Sequence, residues 1–148
     1  MCTVSVIRTD DMIRIACNRD EQRTRLPACP PTLQRLRSTR AIMPTDADAG
    51  GTWIGVNEYG LAMALLNMNC PGANTPARST SRGMIIPSMI HSATTPAAIA
   101  LLRAQTLSCY NPFRLILADE DQSIECRFDG RTLTMHKHGQ MKTLMFTS

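Results

Sequence analysis

The sequence predicts an α+β fold, and three patterns carry that prediction. Residues 3–17 read as two short apolar strands folded back on each other around Asp10-Asp11. Residues 95–106 read as one Ala/Leu-rich helix opened by Thr95-Pro96. Residues 113–146 read as four short strands, parted by Asp119-Glu120-Asp121, Asp129-Gly130 and His138-Gly139. Strands and helix come in blocks rather than in alternation, the pattern of an α+β chain. With 148 residues, 43% of them hydrophobic and 19% charged, the chain suits one domain, 1–148, with a hydrophobic core.

The elements follow in order. Thr3 to Arg8 is β-branched and stops at Thr9-Asp10-Asp11; Met12 to Cys17 is its partner. A two-residue turn at Asp10-Asp11 pairs Arg8 with Ile13, Val6 with Ile15, Val4 with Cys17 and Cys2 with Arg19. Directly paired residues share a face. Cys2 and Arg19 are therefore expected side by side, with the guanidinium favouring the thiolate and Asp20 on the opposite face. Residues 22–43 are rich in Arg and Pro and read as an extended segment and a long loop, with at most a helical turn near Leu33 and Leu36. Residues 44–51 are small and acidic, again a loop. Thr52 to Val56 and Leu61 to Asn67 form a second hairpin, with Gly60 supplying any positive φ in its turn. The run 61–66 reads as a strand buried on both faces. A loop over 70–80 follows. Ser81 caps a helix towards His91 that Pro87 kinks or stops, and Thr95 caps the longer helix. The chain stops directly after a strand, which reads as a truncation or a tight C-terminus.

Composition excludes several classes. The net charge of +4 comes from 16 Lys and Arg against 12 Asp and Glu, gathered in a Pro-rich stretch, with aromatics at only 4%. Nucleic-acid binding would want that charge along one helix or interleaved with aromatics, so none is expected. No apolar run long enough for a transmembrane helix is present, and the N-terminus does not resemble a secretory signal. A cytoplasmic location with reduced thiols is expected for the 6 Cys, which include no CxxC. His136 and His138 share a strand face but lack a third ligand, so no metal or cofactor is expected. No phosphate loop, GxSxG or HExxH occurs.

One position has chemistry of its own. Removal of the initiator Met would leave Cys2 with a thiol and a free α-amine, whose ordinary pKa of about 8 suits it to take the thiol proton. Asn18-Arg19-Asp20-Glu21 closes the partner strand beside it. Asn67 ends a buried strand and reads either as a turn former or as an amide donor.

Three pieces together resemble one family: Met1-Cys2-Thr3, Asn18-Arg19-Asp20-Glu21, and Gly50-Gly51-Thr52-Trp53-Ile54-Gly55-Val56-Asn57 followed by Gly60-Leu61 and Asn67. Arg78 to Gly83 and the strand from Leu115 to Asp119 also fit. The chain resembles the NRDE family, which includes the transport and Golgi organisation protein 2 homologues. That family in turn resembles the N-terminal nucleophile hydrolases of the choloylglycine hydrolase and penicillin V acylase group. The resemblance implies a four-layer αββα sandwich. It implies Cys2 as nucleophile with its amine as base, Arg19 and Asp20 around it, and Asn67 as oxyanion donor. In the bile-salt enzymes the Arg and Asp are separated along the chain; here they are adjacent. Two functions follow as expectations: hydrolysis or acyl transfer at an amide or acyl bond of a small molecule, or a non-catalytic trafficking protein for an apolar ligand such as haem or an acyl lipid. The sequence leaves the oligomeric state open.

Overall fold

The computed structural model describes residues 2–68 and 80–148. The loop expected over 70–80 falls outside them except for Thr80, as do Cys70 and the Arg78 end of one motif. The first hairpin is β1 (Thr3–Arg8) and β2 (Ile13–Asn18). Its register pairs Arg8 with Ile13, Val6 with Ile15 and Val4 with Cys17, as turn chemistry and alternation require.

The stretch expected to be a loop is instead a second hairpin, β3 (Cys29–Leu36) with β4 (Thr39–Thr45). Pro30 and Pro31 argue against a central strand because they cannot donate to a ladder. β3 escapes the argument by lying at the edge of its sheet, with a register shift between Cys29 and Thr32 where the prolines fall. Its tight turn puts Arg37 at φ 56°.

β5 (Ile54–Asn57) and β6 (Ala62–Asn67) form the third hairpin, and Gly60 takes the positive φ its turn needs (80°). After a single 3-10 turn at Arg82–Met84 come α1 (Ile85–Met89) and α2 (Thr95–Ala104). Thr94 rather than Thr95 caps α2, accepting from the Ala97 amide. The Thr95 hydroxyl turns to the Asp119 carboxylate instead. β7 (Phe113–Ala118) and β8 (Ser123–Phe128) are followed by β9 (Leu133–Gly139) and β10 (Thr143–Thr147).

Seven strands, β3 to β9, make one antiparallel meander in chain order; β10, β1 and β2 make a second sheet with β1 in the middle. Side-chain alternation sorts the core into two. Met63, Leu65, Phe113, Leu115, Leu117, Cys126 and Phe128 face α1 and α2, meeting Ile85, Ile86, Met89, Ala98 and Leu102. Ala64, Leu66, Ile116 and Ala118 face the other way, meeting Val4, Val6, Leu144 and Phe146 of the small sheet. This is why 61–66 is apolar at every position: β6 is covered by helices on one side and by a sheet on the other. The layers run helices, seven-stranded sheet, three-stranded sheet. The outer face of the three-stranded sheet carries no helix among the described residues, and Ile7 and Met145 stand exposed there.

Two buried polar groups hold layers together. Asn57 donates to the Ile90 and Ser92 carbonyls (2.7 Å each) and accepts from the Tyr59 and Leu61 amides (3.0 and 3.1 Å). Glu125, fully buried, accepts from Arg114 (2.6 Å) and Arg127 (2.8 Å), while Arg114 also reaches the Thr147 carbonyl of β10. His138 packs edge-on to Phe146 beside Glu125.

Candidate functional site

A cavity of about 350 Å³ opens at the ends of β1, β2 and β6, and Cys2, Arg19, Asp20 and Asn67 all line it. Each arrives by a different route. β1 pairs with both β2 and β10, which places Cys2 at the end of the small sheet. The Cys2 backbone nitrogen donates to the Ser148 hydroxyl (2.8 Å), and the Ser148 amide returns a bond to the Cys2 carbonyl (3.0 Å).

The ladder between β1 and β2 ends at Thr3 with Asn18, one pair short of the expected Cys2–Arg19 pair. The chain turns there, with the Asn18 amide donating to the Asp20 carboxylate (3.0 Å). The Cys2 thiol consequently points to the Asp20 carbonyl (3.7 Å). The Arg19 guanidinium reaches across to Asp46 and Glu21 and lies over the Trp53 ring, 4.3 Å from its centroid. Arg19 and Cys2 share the cavity, but opposite charges on a neighbouring loop decide where the guanidinium goes.

Asp46 organises that wall. One carboxylate oxygen accepts from the Asp48 and Ala49 amides (3.0 Å each) and from Arg25 (2.7 Å); the other takes Arg19. Burial pushes the Asp46 pKa up, but these amides and the two guanidinia outweigh it and hold the carboxyl below its ordinary value. Asp46 was readable in sequence only as one acid of a polar loop. Cys17 also lines the cavity. Burial first, then the neighbouring Cys2, push its thiol up to about 11 against the pull of Arg19, so it is a neutral thiol at pH 7.

The opposite wall comes from a distant motif. Gly51 packs so closely on Gly83 that a Cβ at 51 would stand 2.5 Å from the Gly83 carbonyl carbon, and the Thr52 amide donates to the Gly83 carbonyl (2.9 Å). Only glycine at 51 allows this approach. It carries Ser81 and Arg82 to the cavity. Asn67 ends β6 paired with Phe113, exposed, and its side-chain amide makes no hydrogen bond among the described residues. No group of three or more His, Cys, Asp or Glu side chains placed to hold a metal occurs among the described residues, and no helix there is long and apolar enough to cross a membrane. The five described cysteines are free thiols; Cys126 is buried as a small apolar residue, while Cys29 is exposed on the edge strand.

Two stacked antiparallel sheets with helices on one outer face give the class of fold: it resembles that of the N-terminal nucleophile hydrolases. It is similar to penicillin V acylase from Agrobacterium tumefaciens, with a TM-score of 0.59 and 16% identity over 97% of this chain and 51% of that one. The chain thus spans about half the length of that acylase. Residues 1–144 match the family Transport and Golgi organisation 2, and the chain belongs to that family. No curated protein matches the sequence.

Proposed function

We propose that the chain is an N-terminal-cysteine hydrolase or acyltransferase that cleaves an amide or other acyl bond of a small molecule. The observation that supports it is the meeting of Cys2, Arg19, Asp20 and Asn67, from three separate stretches of sequence, around one cavity. In this reading the initiator Met is removed. The freed Cys2 amine takes the thiol proton, and the thiolate attacks the substrate carbonyl, forming a C–S bond and a tetrahedral oxyanion. The Asn67 side-chain amide donates to that oxyanion. Collapse breaks the C–N bond, and the proton held by the Cys2 ammonium passes to the leaving amine. Water then attacks the thioester, releasing the acid and restoring the thiol; an acceptor amine in place of water gives transfer.

Arg19, fixed by Asp46 and Trp53, and Asp20, fixed by Asn18, shape the pocket around the nucleophile. The Ser148 hydroxyl, 2.8 Å from the Cys2 nitrogen, orients the base. The charged lining supports a polar substrate over the apolar cargo of a trafficking protein.

The test begins with intact mass of the native protein. Loss of Met1 is required, and a retained Met1 sinks the mechanism. A thioester-forming acyl probe is then expected to label Cys2 selectively at pH 7–8 while Cys17, its thiol neutral there, stays unlabelled. Labelling that persists in Cys2→Ala, or that falls on Cys17 instead, would equally remove the reading.

A further inference from the structure

Three arginines reach the cavity, and they are not alike. Arg19 is paired with Asp46 and Glu21, and Arg25 with Asp46, Asp48 and Glu21. Arg82 is paired with no carboxylate among the described residues, and residues 69–79, which precede it closely, contain no Asp or Glu. Its one hydrogen bond there runs from Nη1 to the Pro112 carbonyl (2.9 Å). That same carbonyl accepts the Met68 amide (3.2 Å), next to Asn67. One corner of the guanidinium is thereby pinned at the end of β6, close to where an oxyanion would be held. The remaining donors have no acceptor among the described residues, and none of them is sealed from solvent. The side chain itself is half-buried, so burial lowers its pKa with no ion pair to offset the cost. A half-buried, anchored cation with spare donors on a cavity wall is placed to receive an anion.

We propose that Arg82 is the docking point for an oxyanion, carboxylate or phosphate, carried by the molecule that enters the Cys2 cavity. This rests on the hydrolase reading for the word substrate, but not for binding. The guanidinium presents parallel N–H donors that match either group, and pinning by Pro112 means little rotamer freedom is lost on binding. Arg19 and Arg25 cannot serve, because their carboxylates already occupy them.

The experiment uses the whole chain with Cys2→Ala, which binds without reacting. Trp53 is the only tryptophan and stands on the cavity wall, so its fluorescence reports occupancy. The titrants are phenylacetate, phenyl phosphate and neutral phenylacetamide. At least one anion is expected to bind about ten-fold or more tightly than the amide, a step that corresponds to one charged hydrogen-bonded contact. Preference for phenylacetate assigns a carboxylate, and preference for phenyl phosphate a phosphate. Arg82→Gln is expected to erase the preference and Arg40→Gln, at the far-off Glu58 pair, to leave it intact. Equal binding of amide and anions, no saturable response to either anion, or a preference that survives Arg82→Gln overturns the proposal. Should Arg82→Gln not fold, Arg82→Lys has to change the anions' affinity and leave the amide's alone; no such change overturns the proposal too. An anion preference in a protein whose Cys2 never labels defeats the hydrolase reading and leaves this one standing. A labelled Cys2 without anion preference does the reverse.

Discussion

Asn57 and Asn67 end the two strands of one hairpin, β5 and β6, at opposite ends of the seven-stranded sheet. The first is buried, and both its donors and its acceptor oxygen are used, tying the β5–β6 turn to the end of α1. The second is exposed at the Cys2 cavity and spends none of its capacity on the described protein. The contrast separates two uses of the same side chain. A satisfied buried amide rigidifies a fold, whereas an exposed amide on a cavity wall, with no partner among the described residues, is open to a ligand. The same division runs through the arginines: Arg19 and Arg25 are paired with carboxylates, and Arg82 is paired with none among the described residues.

The largest effect is expected of Asn57→Ala. It leaves two buried carbonyls, the buried Leu61 amide and the part-buried Tyr59 amide without their partner, so a loss of about 3 kcal/mol in denaturant unfolding is expected, with the cavity otherwise intact. A loss no greater than that of a surface substitution would end the structural reading of Asn57.

Asp46→Asn comes next, at about 1 kcal/mol, because its partners are partly exposed and screened. Its sign against pH is defined. The folded carboxyl titrates below its unfolded value, so its contribution is complete above about pH 4 and disappears as pH falls through the lowered value. The gap in Tm between wild type and Asp46→Asn is therefore expected at pH 7 and should shrink as pH falls below the ordinary carboxylate range; a gap that widened in acid would contradict the ion-pair account.

Asn67→Ala should move stability least, within about 0.5 kcal/mol. On the proposed mechanism it lowers turnover by about a hundred-fold or more. Unfolding curves and single-turnover rates on one preparation separate the two effects, and a variant as active as wild type would take Asn67 out of the mechanism.

Local rules carried far along the chain. Turn chemistry at Asp10-Asp11 and strict alternation determined the β1–β2 register. Asp129-Gly130 and Gly60 marked turns, and the unbroken apolar run at 61–66 announced a strand covered on both faces. Cys2, Arg19, Asp20 and Asn67 were readable as candidates because their residue types and motif order point to one chemistry. The Arg- and Pro-rich stretch 22–43, read as an extended segment and a long loop, instead holds most of the β3–β4 hairpin, because whether proline is tolerated in a strand depends on whether that strand lies at an edge. The tertiary structure decided that β10 leaves the meander to pair with β1, that Ser148 meets the Cys2 nitrogen, and that Gly51 lies against Gly83. It also decided that Arg19 turns from the thiol to Asp46. These contacts join residues 27 to 146 positions apart, and at such distances neither propensity nor periodicity carries information; only the packing of two sheets and a helical layer around shared cores brings them together.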